Sequence, residues 1–209
     1  MRAISKGTEP HSLTQYRLTA HAHYEGYAQK DALRLSLSTE QGGTCCYCMQ
    51  RIRPAIGSMK IEHWRCQELY PAEQLDYRNM LGACMGNEGQ PRSKQHCDSY
   101  KGNASLSRNP ANPAHRIEDF VRYLGNGRVE SHDDQFNHEL NDVLNLNHPL
   151  LVNNRKAVLD SFISSFPPQT LGSLAWQRKL NDWNGVNGSE LHEYCGVVIY
   201  WLRKRLARA

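Results

Sequence analysis

Four cysteines lie in two groups that could bind one metal ion. The first group is Cys45-x-x-Cys48, and the second consists of Cys84 and Cys97. The two-residue gap in the first group lets both thiolates point at one ion, and four thiolates can close a tetrahedral zinc site. We therefore predict structural Zn²⁺ held by these four cysteines. Twelve residues separate Cys84 from Cys97, so His96 remains an alternative fourth ligand.

Between the two cysteine groups lies the triplet Glu62-His63-Trp64. Phosphodiester hydrolysis needs a base for the attacking water and a cation for the charge on the phosphoryl and leaving oxygens. His63 is the predicted base, because neutral imidazole is well populated near neutral pH. Glu62 and Asp98 offer hard carboxylate oxygens for a catalytic Mg²⁺ or Mn²⁺ ion. The segment thus has the residues of a nuclease centre supported by zinc.

Two further polar side chains complete the predicted catalytic set. Asn79 is expected to hydrogen-bond near His63 and hold the imidazole in place. Lys101 follows Asp98 by one helical turn and is expected to reach a phosphate oxygen. Asn87 competes for the third position of this set, although it lies in a Gly-rich loop.

The elements that must position these residues can be read from the same stretch. Residues 59–64 alternate in polarity as a strand does, and residues 76–84 form a second short ordered segment. Residues 86–92 are rich in Gly, Asn and Pro and are predicted to be a loop, whereas residues 96–103 can make one or two helical turns. Together they predict a ββα unit.

The flanking sequence is mainly helical. A helix over 27–41 ends at Gly42-Gly43, and the Asn-Pro repeat at 109–113 marks a corner. Gly125-Asn126-Gly127 predicts a hairpin turn. Further helices are predicted over 137–144, 149–166, 171–183 and 189–208.

The predicted fold class is therefore α+β, mainly α. It consists of a ββα-metal core stabilised by zinc, an added hairpin and a helical C-terminal part. We divide the chain into an N-terminal helical segment (1–44), the zinc-bound core (45–108) and a hairpin plus helical region (109–209). The last of these is a candidate surface for docking a partner.

Composition limits the class of protein. The chain has 209 residues, a net charge of +4 and 39% hydrophobic residues, with no apolar run near the ~18 residues of a membrane span. The first residues contain no apolar stretch typical of a secretory signal. We expect a cytoplasmic protein without membrane association, whose cysteines stay reduced and available to metal.

The motifs from Cys45 to Gly102 resemble those of the HNH endonucleases. They include Ile61-Glu62-His63-Trp64, Asn79-x-Leu81-x-x-Cys84 and Cys97-Asp98-x-x-Lys101-Gly102. That resemblance implies a ββα-metal centre with His as general base and carboxylate, Asn or His ligands for the metal. Three features depart from the family pattern: Asp98 replaces a frequent His or Asn, the gap before Cys97 is long, and Cys66 stands where Pro often follows.

A narrower resemblance extends over most of the chain. Cys-Tyr-Cys, Asn-Met-Leu-Gly-Ala-Cys and Ser-Leu-x-x-Asn-Pro-Ala, followed by a helical tail, resemble the PtuB family of HNH subunits in Septu and retron-linked anti-phage systems. This resemblance implies an effector nuclease in a hetero-oligomer with a PtuA-like ATPase. Retron-linked versions would add a reverse transcriptase with its RNA–DNA product.

Two other functions remain open from the residues themselves. A zinc-stabilised nucleic-acid-binding module would need the cysteines but not His63. An interaction subunit would use the C-terminal helices, where Trp176, Trp183 and Trp201 could pack on a partner or form an internal core. Among substrates DNA is favoured and an RNA such as tRNA is possible, since phosphate contacts do not distinguish them.

Overall fold

The computed structural model describes residues 1–167, 171–185 and 190–208. These residues form a mixed α/β structure that is mostly helical. The helices, in chain order, are α1 (His11–Arg17), α2 (Lys30–Glu40), α3 (Asp98–Lys101), α4 (Ile117–Phe120), α5 (Asp134–His138), α6 (Pro149–Ser165), α7 (Ser173–Trp183) and α8 (Cys195–Leu206). A π-helical turn, Glu139–Val143, continues α5.

Two small antiparallel sheets accompany the helices. Strand β1 (Lys60–His63) pairs with β2 (Met80–Ala83), with His63 opposite Met80. Strand β3 (Arg122–Tyr123) pairs with β4 (Val129–Glu130) around the Gly125-Asn126-Gly127 turn. The first sheet is followed by the short helix α3, so the chain order strand, strand, helix predicted for this region is present.

Most predicted helices are confirmed, with differences at their ends. Helix α2 begins three residues later than predicted and ends one residue before Gln41, where Gly42 and Gly43 adopt positive φ. Its core contacts come from Leu33 and Leu37, four residues apart on one face, while Leu35 is exposed. Helix α1 was not predicted, because its seven residues bury only Leu13.

The last predicted helix begins later than the pattern suggested. Residue 189, its predicted start, lies outside the described residues, and the described helix α8 begins at Cys195. Tyr194 immediately before it adopts a left-handed conformation, with φ 53°. Its amide donates to the carbonyl of Met49, which anchors the start of α8 to the cysteine region.

Two hydrophobic clusters lie among the residues that the structure describes. The first draws on Leu33, Leu81 and Leu140, so each of the three predicted segments contributes to it. The second joins α6, α7 and α8 through residues such as Phe162 and Trp176, with Trp183 and Trp201 partly buried against it. These tryptophans therefore serve an internal core, while the division into segments stays a prediction.

No helix in the described ranges combines the length and apolar character that crossing a membrane requires.

Candidate metal centre and acidic site

The first cysteine pair lies on a tight turn. The amide of Met49 donates to the carbonyl of Cys45, and Met49 itself adopts φ 66°. The amide of Gln50 points at the Cys48 sulfur, with an N–S distance of 3.4 Å. This turn also pairs with β2, because the Cys46 amide donates to the carbonyl of Gly82. The turn that carries Cys45 and Cys48 therefore lies beside β2, the strand that leads to Cys84.

A closed loop brings the second pair together across the long gap. Cys84 directly follows β2, and Cys97 directly precedes α3. The His96 amide donates to the carbonyl of Gly86, which closes the intervening loop at its base. A Cβ atom at Gly86 would lie 2.2 Å from the His96 oxygen, and φ there is +55°, so the closure requires glycine.

The four predicted cysteines form a compact group of sulfur atoms. All are buried, and their Sγ atoms lie within 4.8 Å of one another. The Cys48 and Cys84 sulfurs are 3.7 Å apart. Tetrahedral zinc with Zn–S bonds of about 2.3 Å places its sulfurs roughly 3.8 Å apart. The group could therefore hold a metal ion, and its donors and spacing are compatible with structural zinc.

The thiols of this group affect one another's ionisation. Burial raises the pKa of Cys45, but hydrogen bonds from the neighbouring thiols outweigh it and hold that pKa well below its usual value. The hydrogen bond with Cys45 raises the pKa of Cys84 instead. The thiolate favoured at Cys45 thus opposes ionisation of Cys84 and Cys97, whereas a bound metal ion would stabilise the thiolate forms.

His96 lies beside the sulfur group. Its Nδ1 is 3.3 Å from the Cys97 sulfur and 4.0 Å from the Cys84 sulfur. The four donor atoms that lie close enough together to share one ion include the Cys97 sulfur and do not include His96. His96 is suited to hydrogen-bond a ligand sulfur, as second-shell groups of metal sites do.

Glu62 is buried, and Asp98, which follows Cys97, is partly buried with a side chain 14% exposed. Their carboxyl groups are hydrogen-bonded to each other. Burial raises the pKa of Glu62 well above its usual value, and the charge of Asp98 raises it further. Burial also opposes ionisation of Asp98, but the hydrogen bond from Glu62 and the charge of Lys60 hold its pKa below the usual range. The two carboxyls thus shift each other's pKa in opposite directions, and the ammonium of Lys101 opposes the rise at Glu62.

Three donors surround this pair. The Lys101 Nζ is 2.9 Å from Glu62 Oε1, and their side chains are only 1% and 3% exposed. The Tyr47 hydroxyl donates to the same oxygen over 2.7 Å. Lys60 forms an ion pair of 2.7 Å with Asp98. Lys101, expected to reach a phosphate, is instead buried against Glu62.

His63 is held on the other side of β1. Neighbouring strand residues point to opposite faces, but the charges of Asp98 and Lys101 still act on its imidazole. Its Nε2 lies 2.9 Å from the carbonyl of Gln74 and must donate to it, which leaves the lone pair on Nδ1. Tyr24 packs edge-on against the ring, with centroids 4.5 Å apart. Burial lowers the pKa of His63, so its neutral form is favoured.

Asn79 positions the segment that holds His63 rather than the imidazole itself. Its Oδ1 accepts from the Arg65 amide over 2.8 Å, and its Nδ2 donates to the carbonyls of Arg65 and Glu73. Those bonds fix the two ends of the loop that carries Gln74. Asn87, the competing candidate, adopts φ 58° and donates to the Lys94 carbonyl within its own loop.

The surrounding basic residues are largely committed to partners. Arg51 and Arg53 pair with Glu190, and Arg108 pairs with Asp133. Arg92 lies over the ring of Tyr100. The ion pairs of Arg51, Arg53 and Arg108 therefore offset part of the positive charge that these side chains could present to a polyanion.

Three contributors to the site were not predicted. Tyr47 lies inside the first cysteine motif, so its position between two ligands was a usable signal. Tyr24 reaches His63 from a distant part of the chain, and Gln74 acts through its main-chain carbonyl. No side-chain pattern in the sequence could have indicated these last two contacts.

Comparison with known proteins yields no family model that matches the chain and no matching curated protein. The resemblance to HNH endonucleases therefore depends on the sequence motifs between Cys45 and Gly102 alone.

Proposed function

We propose that this protein is a metal-dependent endonuclease of the HNH type, which hydrolyses phosphodiester bonds of nucleic acid. The observation that carries the proposal is the interacting Glu62–Asp98 pair beside four clustered cysteines, with His63 on the same strand as Glu62. The cysteine group would bind structural zinc and hold β1, β2 and α3 together as a ββα-metal core.

Glu62 and Asp98 are the residues that would hold the catalytic ion. Both supply hard oxygens, and Mg²⁺ or Mn²⁺ bound there would stabilise charge on the phosphoryl and leaving oxygens. The buried ammonium of Lys101 lies 2.9 Å from Glu62 and balances its charge in this structure. Metal binding therefore requires Lys101 to move from this oxygen.

His63 would act as general base through Nδ1. The Gln74 carbonyl fixes the ring tautomer, and burial keeps the imidazole neutral. A neutral imidazole can accept a proton from water as that water attacks phosphorus. His63 is only 5% exposed, so the Tyr24 side chain must move before nucleic acid can approach.

The biological role follows from the narrower resemblance. As a PtuB-like subunit the protein would be the toxic effector of an anti-phage system, joined to a PtuA-like ATPase. A retron reverse transcriptase with its RNA–DNA product would be a further partner in retron-linked versions. DNA is the favoured substrate, with RNA such as tRNA as the alternative.

The test is cleavage of plasmid, single-stranded DNA and total RNA with Mg²⁺ or Mn²⁺, with and without a PtuA-like ATPase. We expect His63→Ala to lower the cleavage rate by roughly 10²–10⁴-fold. His138→Ala, at an exposed histidine of α5, is the matched control and should cleave normally. Cleavage by folded His63→Ala at the wild-type rate would overturn the assignment of the base.

A second candidate function is a zinc-stabilised nucleic-acid-binding module without catalysis. The burial of His63 and the direct Lys101–Glu62 ion pair favour it, because both must change before catalysis. This candidate predicts nucleic-acid binding that His63→Ala leaves intact, with no cleavage by either protein in any of the assays. The nuclease proposal predicts the same binding but cleavage by the wild-type protein only.

A further inference from the structure

A cleft outside the acidic site lies where the start of α7 meets the end of α8. It has a volume of about 500 Å³, within the range of roughly 300–1,000 Å³ that small-molecule sites occupy. Its lining residues come from the beginning of α7 and the last turns of α8: Leu171, Gly172, Ser173, Trp176, Trp201, Lys204, Arg205, Leu206 and Arg208. None of these is acidic.

One buried donor in the cleft lining has no acceptor among the described residues, and two exposed cations lie close to it in the lining. Trp176 is 2% exposed, and its indole nitrogen has no hydrogen-bond partner among the described residues. Indole N–H can only donate, so its complement must be an acceptor atom. Lys204 and Arg208 add two exposed cations, and in the described part of the chain neither forms an ion pair.

The first turn of α7 contributes further positive potential. Gly172 precedes this 11-residue helix and supplies no side-chain cap. The first amides of a helix point away from it unpaired and, with the helix dipole, favour an anion. Since this helix start and the cations of α8 border one cleft, a phosphate there would meet both.

Aromatic surface lies next to these donors. Trp201 is partly buried in the cleft wall, 5.6 Å from the Trp176 ring, and the Arg205 guanidinium lies 4.9 Å from Trp176. Indole and guanidinium planes stack favourably on nucleobases. The combination therefore fits a ligand that has both a planar base and phosphate groups.

We propose that this cleft binds a phosphorylated nucleotide, with the base against Trp201 and the phosphates at Lys204, Arg208 and the start of α7. The nucleotide could be a free nucleoside phosphate or the 5′-phosphorylated end of a nucleic-acid strand, because both present the same groups. This site is separate from the acidic pair and goes beyond the proposed nuclease function.

The test is isothermal titration calorimetry on the full chain without added divalent ion, so that no cleavage is involved. We expect ADP to bind more tightly than adenosine or pyrophosphate by at least about tenfold, or 1.4 kcal/mol. The 5′-phosphorylated hexadeoxyadenylate, compared with its unphosphorylated form, reports whether a strand end is preferred over the free nucleotide. Preference for either source supports the site.

Variants test whether ADP binding depends on the cleft residues or only on the positive charge of the protein. Lys204→Ala and Arg208→Ala should each weaken ADP binding by about tenfold. Arg178→Ala removes an exposed cation of α7 that does not line the cleft and should have no effect. Trp201→Leu should abolish the advantage of ADP over pyrophosphate, with folding checked by circular dichroism.

Three results would overturn the proposal. The first is that neither ADP nor the phosphorylated strand binds the folded wild-type protein. The second is pyrophosphate binding as tight as ADP binding, which would remove the role of Trp201. The third is equal weakening by Arg178→Ala, which would make the interaction one of net charge. None of these results depends on whether the protein cleaves nucleic acid.

Discussion

Lys101 and Glu62 form an ion pair inside the protein, with an Nζ–Oε1 distance of 2.9 Å and side chains only 1% and 3% exposed. Removing one member of a buried pair typically costs ~3–5 kcal/mol, because the other is left without a partner in a poorly solvated site. The pair also connects α3 to β1. We therefore expect the loss of either side chain to lower the stability of the β1–β2 hairpin.

We expect Lys101→Met to lower the free energy of unfolding by about 3–5 kcal/mol in urea denaturation. Glu62→Gln should cost much less in the Lys101→Met background than in the wild type, since the two residues interact directly. Lys60→Met is the matched control, because the Lys60 side chain is 25% exposed and solvent compensates part of its loss. Equal costs for the two lysine variants would contradict this expectation.

The cysteine group predicts about one equivalent of bound zinc per chain. Cys97→Ser should lose this zinc and lower the melting temperature, because metal binding and folding are coupled in such sites. Cys46→Ala should keep the zinc, since Cys46 is buried nearby but is not one of the four clustered donors.

Zinc content of His96→Ala tests whether the fourth zinc ligand is Cys97 or His96. The geometry predicts retained zinc stoichiometry with somewhat weaker affinity, because His96 lies 3.3 Å from the Cys97 sulfur as a hydrogen-bonding neighbour. Full loss of zinc in His96→Ala, with zinc retained in Cys97→Ser, would reverse the assignment. Metal content is measured by atomic emission on purified protein.

Closure of the loop before Cys97 should depend on Gly86. Gly86→Ala would place a Cβ 2.2 Å from the His96 carbonyl at a φ of +55°, so we expect a loss of more than about 3 kcal/mol and weaker zinc binding. Gly89→Ala is the control within the same loop, with a φ of +81° and no atom within 4 Å of the added Cβ. It should cost only the ~1–2 kcal/mol of a left-handed residue. Similar losses in both variants would show that the close approach is unimportant.

Stability should decrease in acid partly through His63. Burial lowers its folded pKa below the ordinary value of 6.5. Between these two pKa values the unfolded chain binds more protons, so the free energy of unfolding falls as the pH drops through this window. Above the ordinary pKa both states are neutral and the group contributes no pH dependence.

The measurement is urea unfolding of wild type and His63→Gln from about pH 7.5 to about pH 5. The wild type should lose stability relative to His63→Gln on acidification, while zinc ligation affects both proteins alike. His138→Gln, at an exposed position, should follow the wild type. If the difference in free energy of unfolding between wild type and His63→Gln does not change with pH, the buried, neutral state of His63 is refuted.

Much of the local structure follows from the sequence. Helix-forming residues around Leu33, Leu35 and Leu37 indicate α2, Gly42 and Gly43 mark its end, and Gly125-Asn126-Gly127 marks the second hairpin. The four clustered cysteines were also predictable, because thiols that recur in such groups have few roles other than binding metal in a reducing compartment. These features depend on neighbours in the chain and on residue chemistry.

The tertiary structure decided which groups meet. Strand alternation places Glu62 and His63 on opposite faces of β1, so adjacent residues acquire different partners. Packing of α3 buries Lys101 on Glu62, and Tyr24 covers His63 from a segment nearly forty positions earlier in the chain. The sequence by itself determined the chemical groups of the site. Their burial, protonation and accessibility depended on contacts between distant segments, which local sequence patterns do not encode.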